Sequence, residues 1–231
     1  MSAEWSTELV ARARAHAALG EPARLAIVER LTLGDAAPSE LAADLGIASN
    51  LLAHHLRVLV DGGLIIRTRS EGDRRRSYVQ LIHRSPDTLP SADRLAAGRV
   101  VFVCTRHSAR SHLAAAAWAR RSTVPVASAG THPAGAVHPG ATAAARRRNL
   151  RIAPVRTAHI NDVVESGDLL VAVCDNAYEE LAAVGPVPRL HWAVPDPVRV
   201  DSPAAFDAAL DNIEGRIELL AQAVDASEEP P

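Results

Sequence analysis

VVFVCTRHSARS, residues Val100–Ser111, is an apolar run that ends in Cys104, followed six positions later by Arg110 and then Ser111. The pattern predicts a strand, a tight loop and a helix, with a thiol at the loop entrance and a guanidinium at its exit. Such a loop suits a tetrahedral oxyanion. Backbone N–H groups opening the helix through Leu113 to Ala119 point at the anion, and the helix dipole adds positive potential. Arg110 can take two oxygens with its planar fork. Thr105, Arg106, His107, Ser108, Ala109 and Arg110 are the expected oxyanion-binding residues. The same field favours a thiolate, which makes Cys104 the expected nucleophile. The competing reading is a buried strand-end cysteine that acts only as a small hydrophobe.

Three later segments favour the chemical reading: SAGTHPAG (Ser128–Gly135), VHPGATAAARRRNL (Val137–Leu150) and HWAVPDP (His191–Pro197). From Arg99 to about Leu220 the chain resembles the low-molecular-weight protein tyrosine phosphatases and the thioredoxin-coupled arsenate reductases, in which such segments follow in this order. The resemblance implies Cys104 as nucleophile, Arg110 as oxyanion clamp and Ser111 as the hydroxyl that supports the thiolate. It implies Asp196, in the Asp-Pro pair, as the general acid for the leaving oxygen, a role worth typically ~10²–10⁴-fold in rate. The alternative for Asp196 is a turn residue before a proline. Arg106 and His107 depart from the family pattern, which has a small or variable residue and then an asparagine that orders the loop. Histidine tolerates positive φ better than most residues.

Cysteine usage separates the two chemistries. A phosphatase needs only the nucleophile, which is phosphorylated and then hydrolysed. Arsenate reduction ends with sulfur oxidised and needs a second thiol. The other cysteine is Cys174, at the end of the apolar run Leu169–Val173. The resemblance places it at the first resolving cysteine of the thioredoxin-coupled enzymes; Leu181 stands where their second would be. A Cys104–Cys174 disulfide, a small thiol attacking the Cys104 adduct, and an inert buried Cys174 all remain open. No cofactor is expected to be bound; a reductase would draw on an external thiol reductant, thioredoxin or a low-molecular-weight thiol with its redoxin.

The chain before this region reads differently. Glu21-Pro22 starts a helix with proline in its first turn, carrying Ala26, Ile27, Arg30 and Leu31 at helical spacing to Gly34. Ser39–Leu45 makes a short helix and Gly46 a turn. Ser49 caps a longer helix whose Leu52, Leu56 and Leu59 form one apolar face, stopped by Gly62-Gly63. Two short strands, Leu64–Thr68 and Ser77–Leu81, flank a Glu-Gly-Asp turn that carries Arg74, Arg75 and Arg76. From Leu19 to Leu81 this resembles the winged helix-turn-helix of the ArsR family of repressors. The resemblance implies a recognition helix in the major groove and an arginine-bearing wing across phosphates of a double-stranded operator. The expected DNA-binding residues are Ser49, Asn50, Leu51, His54, His55, Arg57, Arg69, Arg74, Arg75 and Arg76, with His54 and His55 on phosphates or in packing rather than on bases. The alternative for the arginine cluster is a solvated turn.

The ArsR family's arsenite-binding cysteine pair has no counterpart in GDAAPSELA, Gly34–Ala42. Soft metals need thiolates, so sensing by that route is closed. His16, His83, His107, His112, His132, His138 and His159 are scattered, and no metal site is expected.

Length and composition fit two domains. The 231 residues divide into residues 1–83, a DNA module; a linker, 84–98, with Pro86 and Pro90; residues 99–224, the oxyanion domain; and a disordered tail from Asp225. A formal net charge of −2 excludes a general polyanion binder, so DNA affinity must come from local arginines. Two cysteines and no signal peptide or long apolar span point to a soluble cytoplasmic protein without membrane contact. The fold class expected is an α+β winged helix domain followed by an α/β domain with a four-stranded parallel sheet. Its strands would be Arg99–Val103, Val124–Ser128, Asp168–Val173 and Arg189–Trp192, with helices at Ala109–Arg121, Pro139–Asn149, Ala177–Ala183 and Pro203–Val224. The amphipathic segment Trp5–Leu19 is the expected surface of a homodimer, because two-fold operators match two-fold proteins.

Three functions follow. The first is a DNA-binding regulator fused to an arsenate reductase. The second has phosphatase activity instead, although Val198 stands where an aromatic would pack a phosphotyrosine ring, which favours a small oxyanion such as arsenate or phosphate. The third is an inactive regulator whose pocket only senses an oxyanion or thiol oxidation.

Overall fold

The computed structural model describes residues 5–82, 94–153, 156–181 and 189–226. Packing divides the chain into two units: Met1–Arg69 with Arg74–Ala92, and Ser70–Asp73 with Asp93–Pro231.

The first unit has helices α1 (Thr7–Leu19), α2 (Pro22–Leu31), α3 (Pro38–Leu45) and α4 (Ser49–Asp61), then strands β1 (Ile65–Arg69) and β2 (Ser77–Leu81). Pro22 and Pro38 open their helices, where a missing N–H costs nothing. Gly46, at φ 62°, supplies the left-handed turn between α3 and α4. Ile27, Val28, Leu31, Leu41, Leu52, Leu56 and Leu59 interlock with Ile65, Val79 and Leu81 of the antiparallel β1–β2 pair, whose register runs from Ile65↔Leu81 to Arg69↔Ser77. Two sequence expectations shift by a few residues. α2 stops at Leu31, where the Thr32 N–H closes on Glu29, before Gly34 is reached. Ala48 is the N-cap of α4 and makes no side-chain bond, so Ser49 is the first helical residue rather than the cap.

The second unit is built on four parallel strands in the order β5–β4–β6–β7: β4 (Arg99–Cys104), β5 (Val126–Gly130), β6 (Asp168–Ala172) and β7 (Arg189–His191). Successive connections leave β4 toward opposite sides of the sheet. The switch point therefore lies at the carboxyl ends of β4 and β6, where open α/β sheets bind ligands. Helix α5 (Arg110–Arg121) packs on β4, β5 and α9 (Pro203–Ala223); α6 (Pro139–Arg147) joins α9; α7 (Asp175–Leu181) lies against β4 and β6; and α8 (Pro197–Val200) precedes α9. Phe102 sits edge-on to Trp118, ring centroids 6.1 Å apart, and 5.6 Å from Trp192. Arg99 and Asp168 pair at the start of β4 and β6 through two bonds of 2.9 and 2.8 Å, and the Asp168 hydrogen bond raises the Arg99 pKa.

β5 starts at Val126, two residues after the expected Val124. The Val124 carbonyl accepts from Trp118 Nε1 at 2.9 Å, and Pro125 has no N–H to give a ladder. α6 ends at Arg147 rather than Asn149, which has a φ of 53°. α7 begins two residues early, at Asp175. The segment read as linker ends in a strand, β3 (Leu95–Ala97), which pairs in parallel with β8 (Val224–Ala226), clasped by Arg94 on Asp225. The tail expected to be disordered from Asp225 therefore begins as strand. Of the linker, residues 84–93 lie outside the described residues, as do 227–231 of the tail.

Candidate active site and nucleic-acid interface

Cys104 closes β4 at the switch point, and residues 105–109 form the loop into α5. The loop is turned inside out relative to ordinary backbone. The carbonyls of Cys104, Thr105, Arg106 and Ser108 point outward and accept from the N–H groups of Thr131, His132, Ala134 and His138 at 3.2, 2.8, 2.8 and 2.8 Å. The amides of Thr105 through Arg110 donate to no acceptor among the described residues. Six successive N–H groups left without a protein acceptor are available to make an anion nest, to which the start of α5 adds its dipole. The segment SAGTHPAG is thus the outer rail that shapes the loop.

Cys104 Sγ lies 3.1 Å from Ser111 Oγ, both buried. Arg110 is 8% exposed and is fixed by Nη1 donating to the Val194 carbonyl at 2.8 Å. Its Nη2 is 3.4 Å from Asp196 Oδ2. Burial opposes its charge, yet Cys174, Cys104, Asp196 and Glu71 together raise its pKa, so the clamp is cationic throughout the ordinary pH range. Asp196 caps α8, its Oδ1 accepting from Val198 N–H at 3.2 Å. Cys174, just past β6, places Sγ 3.5 Å from Thr105 Oγ1, and the Val173 N–H donates to the Val103 carbonyl at 2.7 Å. Burial pushes the Cys174 thiol up, the neighbouring Cys104 adds to this, and Arg110 and Thr105 act against it. Both thiols are free.

Arg106 is exposed, whereas His107 is buried with φ 44°. Its Nδ1 accepts from the Ala158 N–H at 2.7 Å, which leaves Nε2–H to donate to Ser128 Oγ at 2.9 Å. The ring stacks on His112 at 4.0 Å. A single neutral tautomer thus ties the loop to β5 and to the segment before His159. Burial, followed by the charge of His112, lowers the His107 pKa to about 4. Burial likewise lowers that of His112, whose Nε2 has no partner among the described residues. Gly130 makes the close approach of this loop possible: a Cβ there would stand 2.8 Å from His107 Cβ and 2.9 Å from the Thr105 carbonyl.

Sequence reasoning missed Ser128, Gly130, Ala158 and Val194, which act through backbone or a small hydroxyl and so carry no distinctive residue type. It also missed Glu71. Ser70–Asp73 packs within the second unit, and there Glu71 Oε2 is 3.3 Å from Arg110 Nη1 while Oε1 accepts from the Asp196 N–H at 3.2 Å.

In the first unit, Ser49, Asn50, Leu51, His54 and Arg57 are exposed on α4, with Arg57 Nη2 3.3 Å from His54 Nδ1. His55 is the exception to the expected surface. It faces the core beside Leu52, Leu56 and Leu59, 6% exposed, with Nδ1 3.5 Å from Glu21 Oε2. The offset of one residue from His54 turns the ring by about 100°. Arg67, Arg69, Arg74, Arg75 and Arg76 surround one open concavity on the β1–β2 hairpin.

Among the described residues there is no cluster of three or more His, Cys, Asp or Glu able to hold a metal ion, and no helix long and apolar enough to cross a membrane.

The description "Low molecular weight phosphotyrosine protein phosphatase" matches residues 99–229, more than half of the chain. The chain belongs to this family. A second description, "Helix-turn-helix domain", matches residues 19–68, so an ArsR-type helix-turn-helix is fused ahead of the phosphatase-family domain. None of the curated proteins matches. Among solved structures, the arsenate reductase of Archaeoglobus fulgidus is 26% identical over 53% of this chain and 98% of its own, with a TM-score of 0.47. The tyrosine phosphatase AmsI of Erwinia amylovora is 17% identical over 55% and 93%, with a TM-score of 0.50, a likeness of fold. The tyrosine phosphatase Wzb of Escherichia coli K30, in complex with sulphate, is 20% identical over 55% and 97%, with a TM-score of 0.48.

Proposed function

We propose that this member of the family is a fused transcriptional regulator and arsenate reductase. The observation that carries the enzymatic half is the coincidence of two thiols with one anion nest: Cys104 at its floor and Cys174 against its Thr105 wall. A phosphatase needs only the first.

The reaction balances as follows. The Cys104 thiolate, supported by Ser111, attacks arsenic(V) while the six amides and Arg110 hold the remaining oxygens. A hydroxide leaves as water with a proton from Asp196, and a sulfur–arsenic bond forms. A second thiol then attacks Cys104 sulfur. The sulfur–sulfur bond forms, the sulfur–arsenic bond breaks, and its electron pair stays on arsenic, which departs as arsenite. Two sulfurs are oxidised for one two-electron reduction. Cys174 is the resolving thiol of this proposal: the register that pairs Val103 with Ala172 sets it beside Thr105, one residue beyond Cys104 on the neighbouring strand. The disulfide is returned to thiols by thioredoxin or by a low-molecular-weight thiol with its redoxin. The first unit binds a double-stranded operator as a homodimer in the cytoplasm, with Ser49, Asn50, Leu51, His54 and Arg57 toward the groove and Arg69, Arg74, Arg75 and Arg76 toward phosphates.

Phosphatase activity on a small phosphate ester is the second reading, favoured by the family match, with water in place of the second thiol and Asp196 as its base. An oxyanion sensor without turnover is the third. Purified protein given arsenate with each reductant, and in parallel a small phosphate ester, separates them. Arsenite production lost in Cys104→Ser, and made dependent on a small thiol in Cys174→Ser, supports the proposal. Phosphate release without arsenite supports the second reading, and absence of both products supports the third.

A further inference from the structure

Arg110 already faces a carboxylate that the proposed reaction does not use. Within the second unit the short turn Ser70–Asp73 is held by a set of directed bonds. Ser70 Oγ donates to Glu179 Oε1 at 2.7 Å and accepts from the Gly72 N–H at 2.9 Å. The Glu71 N–H donates to Asp175 Oδ2 at 2.7 Å, and the Asp73 N–H to Glu179 Oε2 at 3.0 Å. Gly72 admits the fit, since a Cβ there would crowd the side-chain ends of Asn176 and Glu179. The result of this docking is that the Glu71 carboxylate engages Arg110 through one oxygen and the Asp196 amide through the other.

A carboxylate with two oxygens on a guanidinium and an amide is a planar stand-in for two oxygens of a tetrahedral anion. Asp196 is the other carboxylate on Arg110, and the sulfurs of Cys104 and Cys174 also act on it. An oxyanion carrying two charges cannot join Glu71 and Asp196 at one guanidinium without strong repulsion. We infer that Glu71 is an internal competitor for the oxyanion clamp, and that an arsenate or phosphate dianion binds by displacing it. This rests on the oxyanion reading of the pocket. Glu71 thereby sets which anions bind: a ligand must outbid a tethered carboxylate on the same guanidinium, which a tetrahedral dianion filling the six-amide nest does and a simple carboxylate or a chloride does not.

The test uses the full chain and inorganic phosphate, which binds without redox turnover. Glu71→Gln keeps the shape and removes the charge. Gly72→Ala leaves Glu71 intact and crowds the side-chain ends of Asn176 and Glu179, loosening the Glu179 bonds to the turn. Calorimetric titration is expected to show phosphate binding about tenfold tighter in both variants, the size of one lost charge-assisted bond. Hydrogen exchange at residues 70–73 of the unmodified protein is expected to quicken when phosphate saturates. Measurable phosphate binding that is equal or weaker in both variants overturns the inference and leaves the oxyanion reading standing. No phosphate or arsenate binding in any of the three proteins overturns both.

Discussion

Gly130→Ala probes the oxyanion loop from behind without touching any group proposed to meet the substrate. The backbone of Gly130 lies outside the left-handed region, so alanine pays no conformational penalty and the effect is one of contact alone. Its methyl would stand 2.8 Å from His107 Cβ, 2.9 Å from the Thr105 carbonyl oxygen and 3.0 Å from the His107 nitrogen. Ordinary carbon contacts lie at about 3.5–4.0 Å, so each is short by roughly 0.5–1 Å. Two of the three atoms are backbone of the loop itself, the Thr105 carbonyl being held by the His132 N–H, and no flexible side-chain end can yield. Overpacking of this kind costs about 1–3 kcal/mol. At about 3–5 °C per kcal/mol for a domain of this size, Tm falls by roughly 3–15 °C. The functional loss is larger in proportion, because moving a catalytic loop by about 1 Å costs on the order of 10²-fold in rate. Thermal unfolding and phosphate titration of the same preparation measure both. A variant that unfolds within about 1 °C of the parent and binds phosphate within about twofold would refute the claim that Gly130 sets the loop's shape, since each limit is well below the overpacking cost.

His107 gives a pH prediction with a definite sign. Its folded pKa, about 4, lies below the ordinary 6.5, so between those values the unfolded chain binds more protons. Its contribution to stability is complete above pH 6.5, declines as pH falls toward 4, and changes no further below. His107→Asn is expected to flatten this part of the Tm-against-pH curve; an unchanged slope would contradict the neutral clasp. In the first unit, Arg74, Arg75 and Arg76 changed together to Ala are expected to reduce the salt slope of DNA binding by up to about 3, at roughly 0.9 per phosphate contact. His55→Leu is expected to alter stability while leaving that slope alone, and a DNA-affinity loss at equal stability would return His55 to the interface.

The strand that ends in Cys104 and the helix that starts at Arg110 were legible because period, residue type and spacing agree there. The rail behind the loop was visible only as a quoted segment. Its work is done by amides of Thr131, His132, Ala134 and His138, and every residue type has an amide. His55 went astray because two adjacent histidines on a helix look alike in sequence, while a turn of about 100° sends one outward and the other to the core. The C-terminal strand was missed for another reason: Val224–Ala226 is too short for any alternation to show, and its partner Leu95–Ala97 lies far away in sequence. Glu71 was hidden by its setting in a turn of charged residues, a context that ordinarily means solvent.

The two thiols differ in a way that orders the proposed reaction. Cys174 is buried, and burial outweighs the pull of Arg110, so its thiol holds its proton more tightly than a free cysteine. A protonated thiol is a poor nucleophile. It therefore leaves arsenate alone and cannot form a disulfide prematurely with Cys104. Cys104 has Ser111 beside it and opens onto the amide nest, so the first attack falls to it. Once arsenic is attached, the negative charge on Cys104 that raises the Cys174 pKa is spent in a bond, while Arg110 and the Thr105 hydroxyl continue to favour the Cys174 thiolate. Attachment of the substrate thus removes one of the two causes that hold the second thiol's proton. On this argument a Cys104→Ser chain, which lacks that charge from the outset, has a more acidic Cys174 than the parent, and thiol alkylation against pH is the measurement that reads it.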